Sequence, residues 1–186
     1  MNITGLILAG GRATRMGGCD KGLQLYRGQS LIGHVIERLA PQVDRIIINA
    51  NRNIPAYAGF GYPVVRDQFD GFAGPLAGLH AGLTACETPL LVVVPCDAPL
   101  LPTDLVARLQ SALNEHASVA QTTQGTEPTF MLCRRTVLPM LEQALMKGER
   151  KFGAWQRSVG AIEVNFEDES AFKNMNTHTD LLWETQ

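Results

Sequence analysis

The fold is decided near the N-terminus by Leu6-Ile7-Leu8-Ala9-Gly10-Gly11-Arg12-Ala13-Thr14-Arg15-Met16-Gly17-Gly18-Cys19-Asp20-Lys21-Gly22. Its apolar first part is typical of a buried strand, and it breaks abruptly into a loop with two Gly-Gly pairs, two arginines and a lysine. Glycines let the backbone approach a ligand closely, and successive N–H groups in such a loop form a concavity that binds anions. Arginine adds bidentate phosphate contacts, and lysine adds a compact charge. The segment predicts a polyphosphate-binding loop where the first strand of an α/β sheet ends.

Two common phosphate-binding patterns are excluded for this loop. The P-loop G-x-x-x-x-G-K-[ST] is absent because Cys19 and Asp20 separate Gly18 from Lys21, and the dinucleotide fingerprint G-x-G-x-x-G does not occur. A mobile, glycine-rich surface turn is the simpler alternative, but three cations directly after a strand argue against it. What remains is a longer loop whose lysine lies well downstream of the first glycines.

The composition favours a single, well-packed domain. The chain has 186 residues, of which 45% are hydrophobic and 18% charged, so a sizeable core is expected. A net charge of −2 argues against broad binding to nucleic acid or anionic membranes. The four cysteines show no C-x-x-C spacing, which favours buried free thiols over a zinc or redox motif. The apolar start is too short for a signal peptide and no stretch is long enough to cross a membrane, so a cytoplasmic protein is expected.

Apolar runs alternate with helix-like segments along the chain. This alternation predicts one domain over residues 1–186, with a mostly parallel sheet between two layers of helices. Strands are predicted at Ile3–Leu8, Arg45–Asn49, Pro63–Arg66, Pro89–Val94, Ser118–Thr123, Thr129–Cys133 and Ala161–Phe166. Helices are predicted at Leu31–Leu39, Leu76–Cys86, Thr103–Asn114, Val137–Met146, Phe152–Ser158 and Thr179–Glu184.

Polar residues follow several predicted strands, and ligands bind beyond the carboxyl ends of the strands in open α/β sheets. Asp97 lies between Pro95 and Pro99, directly after the most continuous β-branched run. Because Mg²⁺ prefers one or two carboxylates plus substrate phosphates, Asp97 is predicted to hold Mg²⁺, with Asp67 as a supporting carboxylate. The structural alternative for Asp97 is an Asx-turn that caps the next segment.

Four other segments each allow a functional and a structural interpretation. Asn49 suits base or ribose recognition, or a turn at a strand end. The segment Gly74-Pro75-Leu76-Ala77-Gly78 would lie against a flat ligand, or pack a helix closely on the sheet. The segment 147–151 is basic and would bind a second anion, or form a solvated helix end. Asn174-Met175-Asn176-Thr177 would contact a polar ligand, or cap the last helix. The scattered histidines, including His34 and His80, are expected to be structural or solvated.

Taken together, these motifs resemble one family. Leu8-Ala9-Gly10-Gly11…Arg15-Met16-Gly17…Asp20-Lys21 resembles the N-terminal motif of nucleotidyltransferases with a three-layer, Rossmann-like α/β fold. Further motifs, in the same order and over nearly the whole chain, resemble the molybdenum cofactor guanylyltransferases (MobA family). They are Asn49-Ala50-Asn51-Arg52, Asp67, Gly74-Pro75-Leu76-Ala77-Gly78, Pro95-Cys96-Asp97, Pro128-Thr129, Gly148-Glu149-Arg150 and Asn174-Met175-Asn176-Thr177.

This resemblance implies transfer of GMP from GTP to the terminal phosphate of a molybdopterin-type cofactor, with release of pyrophosphate. It implies GTP binding by Leu8, Ala9, Gly10, Lys21, Asn49, Asp67 and Asp97, with Mg²⁺ held by Asp97. Positions on the pterin side would be Arg15, Gly18, Arg150, Asn174 and Asn176. Proteins that deliver or receive the labile cofactor are further expected partners. At the position of Lys151 some relatives carry arginine. Lysine keeps the positive charge but lacks the bidentate guanidinium fork, so no specific contact is assigned to Lys151.

The implied chemistry needs no general base. The attacking phosphate monoester is already largely dianionic near neutrality, since its second pKa is about 6. The barrier lies in bringing anions together and in the charge that develops on pyrophosphate, which positioned cations and Mg²⁺ reduce. We therefore expect Arg15 and Lys21 to stabilise the transferring and leaving phosphates, and Asp97 to place the metal.

Other interpretations stay open at this point. One is a cytidylyltransferase acting on the same cofactor, or a sugar-phosphate nucleotidyltransferase. Cytidylyl relatives tend to read Leu-Ala-Ala-Gly where this chain has Leu8-Ala9-Gly10-Gly11, which favours guanine. A protein of another class, which binds GTP without catalysis, is the second alternative.

Overall fold

A computed structural model describes residues 2–10, 20–68 and 74–181 of the chain. The nine strands in these ranges are β1 (Ile3–Leu8), β2 (Leu25–Tyr26), β3 (Gln29–Ser30), β4 (Arg45–Asn49), β5 (Val64–Val65), β6 (Leu90–Pro95), β7 (Ala117–Thr122), β8 (Gly125–Arg134) and β9 (Ile162–Asn165). The α-helices there are α1 (Leu31–Leu39), α2 (Ile54–Ala58), α3 (Pro75–Ala85), α4 (Leu105–Ser111), α5 (Leu138–Met146), α6 (Phe152–Ser158) and α7 (His178–Leu181). Short 3₁₀ turns cover Lys21–Leu23, Ala40–Gln42, Arg135–Val137 and Glu169–Phe172.

Seven strands form the main sheet in the order β5-β4-β1-β6-β8-β7-β9. The pairs within β5-β4-β1-β6 are parallel, as is the β7–β9 pair, whereas β8 is antiparallel to both of its neighbours. The prediction of a mostly parallel sheet is confirmed. Strands β2 and β3 form a separate antiparallel hairpin.

Helices cover both faces of the main sheet, which confirms the three-layer arrangement. On one face Ile7 and Val92 pack with Val35 of α1 and Leu105 of α4. On the other face Leu6, Val93 and Met131 pack with residues of α3, α5 and α6. Successive residues of a strand point to opposite faces, so β1 and β6 are buried on both faces and largely apolar.

Helix α1 begins and ends where the sequence predicts. The Ser30 hydroxyl oxygen accepts a hydrogen bond from the backbone N–H of Gly33 at 3.2 Å, as expected for an N-cap. His34 of this helix lies 2.8 Å from the carbonyl oxygen of Tyr26, which ties α1 to the β2–β3 hairpin. The structural interpretation of His34 is therefore confirmed. Cys86, Cys96 and Cys133 are buried free thiols, also as predicted, and Cys19 lies outside the described residues.

Strand β8 departs from its prediction. It begins at Gly125 rather than Thr129, and it forms a hairpin with β7. Glu127 and Pro128 interrupt the apolar pattern, and the register shifts between Val119 and Ala120 on the opposing strand. A proline lacks the N–H that a sheet ladder requires, so strands accommodate it at such an irregularity. The sequence signal for the first half of β8 was lost for this reason.

Two short elements were not predicted. The β2–β3 hairpin turns through Arg27 and Gly28, which both have positive φ, at 50° and 81°. Such turns usually carry Asn-Gly. Because arginine stands in place of asparagine at position 27, the sequence did not indicate a hairpin here. Helix α2 has five residues and follows Asn53, whose φ is 49°. Within the described ranges, no helix has both the length and the apolar character needed to cross a membrane.

Candidate nucleotide-binding and catalytic site

The carboxyl ends of β1, β4, β5 and β6 meet at one edge of the sheet because these strands are parallel. Leu8 pairs with Asn49 on one side and with Pro95 on the other. Two backbone bonds continue the sheet past the strands: Ala9 N–H donates to the Asn49 carbonyl at 2.8 Å, and Cys96 N–H donates to the Leu8 carbonyl at 3.1 Å. The residues that follow these strands are therefore held side by side.

Lys21, Asp97 and Asn176 form one contact group at this edge, which we call the cation group. The Lys21 ammonium nitrogen lies 3.4 Å from Asp97 Oδ2 and donates a short hydrogen bond to Asn176 Oδ1. Met175 N–H donates to the Asp97 carbonyl at 2.8 Å, which fastens the C-terminal segment to the end of β6. The side chains of Lys21 and Asp97 are 28% and 14% exposed. The group is partly shielded from water, yet open enough to receive a ligand.

Burial raises the pKa of the Asp97 carboxyl above its usual range, and the nearby Lys21 ammonium opposes that rise without cancelling it. An ionised Asp97 is therefore incompletely compensated by its protein neighbours. Among the described residues, no group of three or more His, Cys, Asp or Glu side chains is arranged to hold a metal ion. A single carboxylate with spare negative charge fits Mg²⁺, which takes its remaining ligands from substrate phosphates and water.

Asn49, Asn51 and Asp67 form a second group, the asparagine network. Asn49 Nδ2 donates to Asp67 Oδ1 at 2.9 Å, and Asn51 Nδ2 donates to Asp67 Oδ2 at 2.8 Å. The backbone N–H of Asp67 in turn donates a hydrogen bond to Asn51 Oδ1 at 3.0 Å. Asn51 was predicted only as part of a motif, and its role in fixing the Asp67 carboxylate was missed because it depends on the pairing of β4 with β5.

The sheet order corrects the expectation that Asp67 supports a metal on Asp97. Asp67 follows β5 and Asp97 follows β6, and both β4 and β1 lie between those strands. Three strand spacings amount to about 14 Å. Both oxygens of Asp67 moreover accept amide hydrogen bonds from the asparagine network. The geometry therefore separates the two carboxylates, with Asp97 on the lysine side and Asp67 on the asparagine side of β1.

Helix α3 packs tightly on the ends of β1 and β4. A Cβ atom added to Gly78 would lie 2.4 Å from Asn49 Oδ1 and 2.8 Å from Leu8 Cδ2. A Cβ atom added to Gly10 would lie 3.1 Å from the same Asn49 oxygen. The close approach of Gly78 confirms helix-to-sheet packing for that segment and holds the Asn49 amide in place, whereas contact of the segment with a flat ligand stays a prediction.

The pterin-side candidates fall into three situations. Asn176 belongs to the cation group, and the buried Oδ1 of Asn174 has no hydrogen-bond partner among the described residues. Arg150 bonds to neither the cation group nor the asparagine network: its guanidinium donates to the carbonyls of Leu145 and Glu149 at 3.0 and 2.8 Å, after the end of α5. Arg15 and Gly18 lie outside the described residues.

The turn before α7 confirms the capping interpretation of this segment, and contact of its asparagines with a polar ligand stays a prediction. The Thr177 hydroxyl accepts from Asp180 N–H at 3.2 Å, while the Asp180 carboxylate accepts from Thr177 N–H at 2.9 Å, which is a reciprocal cap. The same carboxylate accepts from Asn176 N–H at 3.0 Å. The capping turn therefore also orients Asn176 toward Lys21.

Comparisons with known proteins agree with this geometry. The MobA-like NTP transferase domain matches residues 5–160. A molybdenum cofactor guanylyltransferase of Bordetella petrii is 49% identical over 97% of this chain and 95% of its own length. One from Burkholderia vietnamiensis is 50% identical over 97% and 94%. The structure of molybdopterin-guanine dinucleotide biosynthesis protein A from Archaeoglobus fulgidus superposes with a TM-score of 0.78 at 23% identity, covering 96% of this chain and 95% of that one.

The mostly parallel sheet between two layers of helices, together with these relatives, identifies an α/β nucleotidyltransferase. Because the family model matches most of this chain, the chain belongs to the MobA-like NTP transferases.

Proposed function

We propose that this protein transfers GMP from GTP to the terminal phosphate of a molybdopterin-type cofactor and releases pyrophosphate. The observation that carries the proposal is the cation group, in which a lysine and a partly buried aspartate meet at the strand ends of the sheet. Its support is the 49% identity to a molybdenum cofactor guanylyltransferase over nearly the whole chain.

The nucleotide occupies the edge beyond β1 and β4 in this proposal. The backbone of Leu8, Ala9 and Gly10 lies beside the asparagine network, whose amides and carboxylate offer donors and acceptors to a base and ribose. Asp67 suits guanine in particular, because a carboxylate accepts from the N1 and N2 donors of that base. The triphosphate then extends toward Lys21 and Asp97 on the other side of β1.

Asp97 is the residue that would hold Mg²⁺, and the ion when bound supplies positive charge to the phosphates as negative charge builds up there. Lys21 binds the same phosphates through its ammonium, which is held in position by Asp97 and Asn176. Arg15, outside the described residues, is proposed to add a second cation. These groups lower the repulsion between the two anionic substrates.

The acceptor phosphate reacts without a protein base. Its dianionic oxygen forms a bond to the α-phosphorus of GTP, and the bond from that phosphorus to the bridging oxygen of pyrophosphate breaks. Asn174, Asn176, Arg150 and Gly18 are proposed to bind the pterin side of the acceptor. The buried, unpartnered Oδ1 of Asn174 is a hydrogen-bond acceptor available for that purpose. We propose that the reaction takes place in the cytoplasm, with cofactor-delivering and cofactor-receiving proteins as partners.

The decisive experiment measures pyrophosphate release with Mg²⁺ and a molybdopterin-type cofactor, comparing GTP with CTP. We expect turnover with GTP and little with CTP, and a Lys21→Ala variant should use GTP poorly. Turnover with CTP alone would reject guanylyl transfer, and turnover with a sugar phosphate in place of the pterin would reject the acceptor. GTP binding without product would indicate a non-catalytic module.

A further inference from the structure

We propose that Tyr57 and Asn53 are positioning residues, which hold Asp20 and thereby fix the Lys21 ammonium against Asp97. The inference rests on the proposed function, in which Lys21 binds the phosphates of GTP. Neither side chain is hydrogen-bonded to Lys21 itself. Asn53 acts through Asp20, and Tyr57 acts through Asp20 and Gly22, the residues on either side of Lys21.

The carboxylate of Asp20 is fully engaged by the segment that follows β4. Its Oδ1 accepts a short hydrogen bond from the Tyr57 hydroxyl, and its Oδ2 accepts from Asn53 Nδ2 at 3.0 Å. The backbone carbonyl of Asp20 accepts from Leu23 N–H at 3.2 Å and so closes the 3₁₀ turn that begins at Lys21. Asp20, the residue directly before Lys21, is thus held in place by Tyr57 and Asn53, and its carbonyl closes the turn that contains Lys21.

The residue after Lys21 is held against the same phenol. Gly22 is buried, and an added Cβ atom would lie 2.7 Å from the Tyr57 hydroxyl oxygen and 3.1 Å from Cys96 Sγ. Cys96 is the residue directly before Asp97. The Tyr57 hydroxyl therefore lies at the junction between the backbone that carries Lys21 and the backbone that carries Asp97.

Tyr57 is suited to a fixed role at this junction. Its side chain is fully buried in a helix whose other residues are largely exposed. Burial, together with the hydrogen bond to Asp20, raises the pKa of the Tyr57 phenol well above its usual value, so the hydroxyl remains a donor at any pH of interest. A charged acceptor makes this hydrogen bond stronger than a neutral one would be.

Asn53 adds a second, independent hold on Asp20. Its φ of 49° is in the left-handed region, which asparagine tolerates better than most residues. The left-handed residue starts α2 and leaves its amide free to reach Asp20. The same segment begins with Asn49 and Asn51, which hold Asp67. The stretch of chain from the end of β4 to Tyr57 thus fixes both the Asp67 carboxylate, on the nucleotide side, and the backbone on either side of Lys21.

The test is a double-mutant cycle between Tyr57→Phe and Lys21→Ala. It is read as kcat and KM for GMP transfer and as the Kd of a fluorescent GTP analogue with Mg²⁺. Removing the hydroxyl should lower kcat/KM about tenfold in the native chain, the size expected for a lost hydrogen bond to a charged group. In the Lys21→Ala background the same change should cost less than twofold, because no ammonium remains to be positioned.

A role confined to stability would give equal losses in both backgrounds, and that result, or no loss at all, would overturn the proposal. Asn53→Gly gives a second variant that keeps the left-handed backbone and removes only the amide; we expect a threefold to fivefold loss with the same non-additivity. Tyr62→Phe is the matched control, since Tyr62 is partly buried in the same core and its hydroxyl bonds to no described residue. Thermal melting of each variant checks the fold.

The two proposals fail in distinguishable ways. A native chain that binds the GTP analogue but forms no product would reject GMP transfer, while the cycle measured on Kd would still test the positioning of Lys21. A native chain that is active, with a Tyr57→Phe variant as active as itself, would reject the positioning role alone.

Discussion

At the scale of single residues, Asp97 shows how a site residue can oppose the stability of its own fold. Burial raises the pKa of this carboxyl, and Lys21 at 3.4 Å offsets only part of the effect. The folded pKa therefore lies above the unfolded value. The ionised form costs stability above the folded pKa, and the cost disappears as the pH falls toward the unfolded value.

Asp97→Asn should for this reason abolish function while stabilising the fold. We expect turnover at pH 7 to fall at least 100-fold, because the amide cannot replace a metal-binding carboxylate. The melting temperature should rise by about 1–3 °C, since the buried charge is gone. Pyrophosphate release and thermal denaturation provide the two measurements.

The exposed Asp104 supplies the control for this change. Its carboxylate is 60% exposed and lies 3.9 Å from Arg108, so Asp104→Asn should alter neither turnover nor melting temperature appreciably. Turnover within twofold of the native chain in Asp97→Asn would contradict the metal-binding role. A lower melting temperature would show that Lys21 compensates the charge more fully than the raised pKa indicates.

At the scale of elements, helix α3 is built to lie unusually close to the sheet. Gly78 and Gly82 are one turn apart on the face that meets β1 and β4. A Cβ atom at Gly78 would collide with Asn49 Oδ1, whereas one at Gly82 would lie 2.3 Å from Leu6 Cδ2. The two glycines thus make the same kind of contact, one against the asparagine network and one against the core.

The pair Gly78→Ala and Gly82→Ala separates packing from nucleotide binding. Each should lower the free energy of unfolding by about 1–3 kcal/mol through overpacking. Only Gly78→Ala should also raise the KM for GTP, by about fivefold or more, because the displaced Asn49 amide lets Asp67 move. Chemical denaturation and steady-state kinetics measure the two effects. An equal rise in KM for both variants would mean that Asn49 is not part of the binding site.

The turn before α7 is a second element whose order supports the site. Thr177 and the Lys173 ammonium hold the Asp180 carboxylate, and the pKa of that carboxyl is lowered chiefly by the Thr177 hydroxyl. A lowered folded pKa means that this contribution to stability is present above the unfolded value of 3.8 and is lost as the pH falls through the folded pKa. Neutral pH therefore keeps the cap intact.

Asp180→Ala should release the cap and with it Asn176. We expect a loss of about 0.5–2 kcal/mol in unfolding free energy, typical of a lost helix-capping interaction, and a fall of several-fold in kcat as Lys21 loses its bond to Asn176. Asp168→Ala is the matched variant, since Asp168 caps the 3₁₀ turn at Ser170 and bonds to no member of the cation group. It should lose comparable stability with kcat unchanged. Equal kinetic losses in the two variants would argue against a role for Asn176.

At the scale of the whole molecule, the site gathers segments that are far apart in the chain. Asn176 contacts Lys21 across 155 residues, and the nucleotide side draws on β1, β4 and β5. A ligand that spans this edge therefore binds only the assembled fold. Such a ligand stabilises the fold by mass action, in proportion to the logarithm of its concentration.

Mg²⁺ with GTP at about 100 times its Kd should stabilise the chain by about 2.7 kcal/mol. For a chain of this size, about 1 kcal/mol moves the melting temperature by about 2–4 °C, so we expect a rise of about 5–10 °C. Thermal denaturation with GTP, with CTP and with GTP plus EDTA measures it. An equal rise with CTP would contradict guanine selection, and an equal rise with EDTA would contradict the metal.

Local sequence by itself determined most of the longer strands and helices and the residues that follow them, although it missed the β2–β3 hairpin, α2 and the first half of β8. The apolar run of β1, the Ser30 cap of α1 and the position of Asp97 directly after β6 all depend on hydrogen bonds or side-chain periodicity within a few residues. A local sequence pattern can record such features, because neighbouring residues carry them. The motifs at those ends also pointed to a nucleotide and a metal.

Only the tertiary structure decided which of those residues meet. The order β5-β4-β1-β6 separates Asp67 from Asp97. The reach of Tyr57 to Asp20, and of Asn176 to Lys21, depends on how helices and loops settle on the finished sheet. Contacts of this kind join residues far apart in the chain, and closing the long loops between them costs conformational entropy. No local sequence pattern therefore indicates which distant residues will meet. The glycine-rich sequence predicts a phosphate site, and the fold determines which aspartate and asparagines lie together at the strand ends.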